Sequence, residues 1–192
     1  MEPLTRADLL SLEAYEAQRP QLRADMREHK AARRLDLDDH ISVYFEDRDT
    51  MRYQVLEMIR AERLFKPEEL DDELAVYNPL IPDGRNLKAT FMIQYDDRAE
   101  RDRQLTRLAG IERVIWLRVN GLEPVWAYYD EDLERGTEDK TSTVHFLRFE
   151  LSDAAVSAWR EGAEVVLGVD HAERQLQAGL PADLHQRLAA DF

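Results

Sequence analysis

The chain has 192 residues, 44% hydrophobic and 34% charged, enough for one ordinary domain with a core and too apolar for a disordered polymer. Its formal charge of −14 opposes binding to phosphate backbones, so no nucleic-acid partner is expected. With no cysteine, the chain has no disulfide, no thiolate nucleophile and no cysteine-held zinc or iron–sulfur centre, and without a signal pattern or a long apolar run it reads as a cytoplasmic protein with no membrane partner.

In chain order, Thr5 and Asp8 read as a variant capping box flanked by the staple pair Leu4 and Leu9. A first helix is expected there, broken at Arg19-Pro20, and a second follows with Leu22, Met26 and His29 on one face. His29 is read as a packing residue, and the basic run His29 to Arg34 as the cationic end of that helix. His40 to Asp47 alternates and is β-branched and aromatic, which predicts a strand. A helix follows from near Asp49 or Thr50 to before Pro67, then a short acidic helix ending at Tyr77. The Pro-rich stretch YNPLIPDGRNLKAT leads into a strand ending at Tyr95, and Gly110 closes a solvated helix.

Two apolar segments flank Asn120-Gly121, a pair suited to a tight hairpin turn, and Pro124 suggests that the second arm starts at an edge or a bulge. A polar connection spans 131–142. Strand 143–151, helix 152–162 and strand 163–170 follow. The tail, 172–192, carries Leu176, Leu180, Leu184 and Leu188, interrupted by Gly179 and Pro181, and reads as two short helices loosely attached. The whole is α+β, one domain over 1–192. An N-terminal helical pair precedes a mostly antiparallel sheet of about six strands covered by helices on one side, with one parallel pair possible across 143–170.

Within the Pro-rich loop, Asn78, Asp83, Arg85, Asn86 and Lys88 ring an apolar tip of Leu80 and Ile81. Such a tip serves either as a recognition surface for a protein partner or as a plug closing one end of the sheet. On the helix after Thr50, Met51, Val55, Met58 and Ile59 share a face, and Glu62 falls in its middle. A carboxylate there is a metal ligand, a general base, or a helix-end group that reaches water or an arginine. His145 lies inside one strand, and Asp170 with His171 ends another. If those strands are neighbours, Glu62, His145 and His171, with Glu57 or Asp170, form a site suited to zinc, iron or manganese. The other reading is that each histidine is buried and hydrogen-bonded. His40 and His185 read as surface histidines, and Trp116, Trp126 and Trp159 as core. No GxSxG elbow, phosphate-binding glycine loop or HExxH is present, so no reaction is named. A small-molecule enzyme with a carboxylate base and anchors such as Arg60 ranks last.

LTRADLLSLEAYEAQRP, YFEDRDTMRYQVLEMIRAER, YNPLIPDGRNLKAT and EDKTSTVHFLRFEL with GVDH together resemble a bacterial family of uncharacterised proteins, a domain of unknown function, from Leu4 to His171. The resemblance implies no established activity. Its members often lie beside genes for rubrerythrin-like proteins and iron–sulfur oxidoreductases, which implies a setting in redox or oxidative-stress metabolism. The expected function is therefore an accessory or interaction protein that meets a redox partner through the loop and carries no cofactor. The alternative is a non-thiolate metal protein or metalloenzyme built on Glu62, His145 and His171.

Overall fold

The computed structural model describes residues 1–129 and 139–192. Most of the polar connection expected over 131–142 therefore lies outside the described residues. The order is α1 (Leu12–Ala31), β1 (Arg34–Asp36), β2 (Ile41–Phe45), α2 (Arg48–Glu62), α3 (Pro67–Tyr77), β3 (Asn86–Ile93), α4 (Arg98–Arg107), β4 (Ile115–Val119), β5 (Val125–Trp126), β6 (Tyr128–Tyr129), β7 (Val144–Glu150), α5 (Asp153–Arg160), β8 (Val165–His171), β9 (Arg174–Gly179) and α6 (Ala182–Ala189).

The fold is α+β and, among the described residues, every strand pair is antiparallel. Instead of one sheet the described residues form two: a five-stranded sheet ordered β1-β2-β3-β7-β6 and a four-stranded sheet ordered β5-β4-β8-β9. Val43, Phe45, Phe91 and Leu147 from the first sheet and Leu117, Val165, Leu167 and Val169 from the second share a single core with Trp159 of α5 and Leu184 and Leu188 of α6. The run 125–129 passes from one sheet to the other. Trp126 pairs with Trp116 in the first arm of the hairpin, Ala127 N donates to Ile115 O at 2.9 Å, and Tyr128 pairs with Arg148. The turn at Asn120-Gly121 is present, with Gly121 at φ 83°. The parallel pair across 143–170 does not form, because α5 carries the chain between sheets and not back into the same one.

Four local expectations are corrected. Pro20 does not break the first helix; it lies inside α1. A proline within a helix costs about 3 kcal/mol, and contacts to α2 on both sides of it offset that. Before Pro20, Tyr15 Oη donates to Glu57 at 2.5 Å and Arg19 forks onto the same carboxylate at 2.7 and 2.9 Å; after it, His29 meets Asp47 at 2.7 Å. His29 is thus a polar bond to the cap of α2. The tail is not two helices. Residues 174–179 alternate in exposure and pair with β8, so Leu176 serves a strand of period two. Nor is the tail loose, since Leu184 and Leu188 are buried and Asp191 pairs with buried Arg33. Side-chain placements also shift. Trp126 is half-exposed, and His40 and His185 stack on Tyr95 and Trp159 with centroids 4.0 and 5.3 Å apart.

Helices α2 and α3 and the N-terminal segment form a second, smaller apolar cluster: Leu4, Met51, Val55, Ile59, Leu74 and Ile81. Among the described residues, no helix is long and apolar enough to cross a membrane.

Candidate functional site

Alternation along a strand sends neighbours to opposite faces. With Val43, Phe45, Ala89, Phe91, His145 and Leu147 turned into the core, Tyr44, Glu46, Thr90, Met92, Val144 and Phe146 must face the other way. These six form the floor of a cleft of about 650 Å³. Met51 and Gln54 of α2, Val76 and Tyr77 of α3, and Leu80 of the turn that follows α3 line it from the helical side, with Lys30 from the last turn of α1. A largely apolar concavity of this volume with a few polar groups is the usual form of a small-molecule site.

Glu46 is the exceptional group in it. It is 6% exposed, and its Oε1 accepts from Thr90 Oγ1 at 2.6 Å. Its Oε2 is buried and has no hydrogen-bond partner among the described residues, and neither has Ser42 Oγ, two steps of alternation away on the same strand face. Burying an ion without its countercharge costs on the order of several kcal/mol, so a carboxylate held this way calls for a reason.

The backbone allows Glu46 little freedom. Its N donates to Lys88 O at 2.8 Å, continuing the β2–β3 pairing. The next residue, Asp47, caps α2 by accepting from Thr50 N at 2.8 Å, while Thr50 Oγ1 accepts from Asp47 N at 2.9 Å. Behind the cleft, Arg33 donates to Phe45 O at 2.9 Å and to Glu46 O at 3.4 Å, and pairs with Asp47 at 3.3 Å and with Asp191. Burial outweighs that guanidinium and pushes the Asp191 carboxyl above its ordinary range. The α1–α2 joint is tied by Glu57, which Arg19, joined by Tyr15, holds down to about 2.

The residues singled out in the sequence stand elsewhere. Glu62 is the last residue of α2 and exposed. His145 is fully buried on the core face. Its Nε2 lies 2.7 Å from Thr141 Oγ1, which donates to Glu112 Oε2 at 3.0 Å. His171 belongs to the other sheet, where its Nε2 lies 3.1 Å from Ala109 O and its Nδ1 accepts from Glu173 N at 3.2 Å. These are three separate environments, and among the described residues no three His, Asp or Glu side chains are grouped to hold a metal ion.

The Pro-rich loop is mostly turned inward. Asn78 clamps the N-terminal segment, its Oδ1 accepting from Leu4 N at 2.7 Å and its Nδ2 donating to Leu4 O at 3.0 Å. Ile81 is buried in the second cluster, whereas Leu80 is half-buried and reaches the cleft. Asp83 accepts from Arg85 N at 2.9 Å across Gly84, whose φ of 98° requires glycine. Asn86, 2% exposed, accepts from Asp83 N at 3.2 Å and donates to Glu150 at 3.1 Å. Arg85 pairs with Asp153 in solvent at 2.5 Å, and Lys88 is half-buried beside Asn78 and Pro82. Sequence reasoning missed Glu46, Thr90, Gln54 and Lys30. The signal available was that β2, β3 and β7 carry Tyr, Met, Val and Phe on the face opposite the core, which marks a covered face.

No curated protein matches the chain. A crystal structure of a protein of unknown function from Burkholderia pseudomallei is 44% identical to it, with a TM-score of 0.93 and 100% of each chain covered. The model of a family described as proteins of unknown function (DUF3501) matches residues 3–192, tail included, and the chain belongs to that family.

Proposed function

We propose that this protein is a binding protein that takes a small, largely apolar molecule into the cleft between the five-stranded sheet and helices α1–α3. The supporting observation is the outward face of β2, β3 and β7, where Tyr44, Met92, Val144 and Phe146 floor a space of about 650 Å³ that the helices wall but do not fill. Titration with the neutral dye Nile red tests it. Saturable fluorescence enhancement at one site per chain is expected, and the cleft-filling Met92→Trp is expected to weaken it at least tenfold. Equal binding by Met92→Trp, or no saturable binding, rejects the reading.

A second reading keeps the accessory role expected from the sequence, with a redox protein as partner on the strength of the family resemblance. Phe65, before α3, is 71% exposed and Val76, near its end, is 63% exposed, so an apolar side chain stands in solvent at each end of that helix. Co-elution with a rubrerythrin-like protein, lost in Phe65→Asp, supports it; absence of co-elution removes it.

A further inference from the structure

We propose that the cleft is selective for a molecule carrying a protonated amine, and that Glu46 is the group that receives it. This rests on the cleft being a small-molecule site and adds the chemistry of its polar end. Glu46 lines the cleft, is 6% exposed, and spends only Oε1 on the protein, through Thr90 Oγ1 at 2.6 Å. Oε2 has no partner among the described residues. An ionised carboxylate is an acceptor only, so what completes Oε2 must be a donor.

Among the described residues no lysine or arginine makes an ion pair with the Glu46 carboxylate. Arg33 reaches the Glu46 backbone oxygen and commits its guanidinium to Asp47 and Asp191. Lys30 lines the same cleft, yet Oε2 remains unpartnered. A ligand ammonium meets both requirements, giving one charge-assisted hydrogen bond and one neutralised buried charge. The formal charge of −14 raises the concentration of cations around the chain in the same sense. The remaining lining asks for an apolar or aromatic body on that amine, with Tyr44, Tyr77 and Phe146 offering ring faces.

The test uses the full chain and three probes of one shape: naphthylethylamine, naphthylethanol and naphthylacetate, titrated calorimetrically at pH 7. The amine is expected to bind about tenfold tighter than the alcohol or more, as a hydrogen bond to a charged group implies, and the carboxylate weakest. Glu46→Gln, which keeps an acceptor for Thr90, is expected to abolish the amine's advantage over the alcohol. Equal binding of amine and alcohol by the native protein means that Oε2 is served by water, and overturns the proposal. Tighter binding of the carboxylate overturns it in favour of Lys30. If Glu46→Gln does not fold, the native preference among the three probes still decides. Nile red binding without an amine preference sinks only this inference, whereas loss of Nile red binding sinks the cleft reading as well.

Discussion

The two faces of the five-stranded sheet treat their polar groups in opposite ways. On the core face, His145 is wholly buried and its hydrogen bonding runs through Thr141 to Glu112. On the cleft face, Glu46 Oε2 and Ser42 Oγ are just as inaccessible and have no partner. Folding alone selects the first arrangement, because an orphaned buried group costs about 1–3 kcal/mol and a charged one more. A group kept in the second arrangement works against stability. That asymmetry separates a polar residue retained for structure from one retained for recognition.

The comparison can be broken first on the core face. Phe91→Ala is expected to cost about 3–5 kcal/mol, read as a lower urea midpoint with an unchanged slope; a loss under 1 kcal/mol would show that the space between the sheets is not close-packed. His145→Ala should cost about 3 kcal/mol, since it opens a void and strands Thr141 and Glu112. A neutral result would mean that the histidine is held for something other than the fold.

The walls of the cleft give a pH test. Glu57 is held down to about 2 by Arg19 and Tyr15. Its folded value lies below its unfolded one, so its stabilisation is complete above the ordinary glutamate range and is lost as pH falls toward about 2. Acid titration of stability should therefore be shallower in Arg19→Gln than in the native chain between those limits. Identical curves would remove this ion pair as the tie between α1 and α2. A smaller effect is expected from Leu80→Asp. Leu80 is half-buried at the cleft, so the fold should survive with a loss of about 1–2 kcal/mol while Nile red affinity drops. Complete unfolding would make the loop a plug and nothing more.

Much of the core was legible because strand alternation depends only on neighbouring residues. Val43, Phe45, Phe91 and Leu147 follow from period two, and the hairpin, with the antiparallel preference, follows from the Asn120-Gly121 pair. What was not legible depended on distant partners. Pro20 stays helical only because Tyr15, Arg19 and His29 find α2. Leu176 fits a helical spacing until β8 is seen to offer an edge. Glu62 shares the azimuth of Met51 and Ile59, but azimuth does not say where a helix ends. His145 and His171 are each ordinary strand residues, and only the pairing order assigns them to different sheets. Glu46 lies within His40 to Asp47, the stretch that reads as one strand. Its peculiarity lies in what fails to approach it, and no local pattern encodes that.

The smallest stability change expected is also the most direct test of why Glu46 is there. Glu46→Met removes the uncompensated carboxylate and keeps the side chain's length. The account predicts that the free variant melts at or above the native temperature, a gain of about 1 kcal/mol, and that naphthylethylamine, which raises the native melting temperature, no longer raises the variant's. A free variant that melts well below the native chain, as Phe91→Ala is expected to, would place Glu46 with His145 among the structural residues and contradict the account.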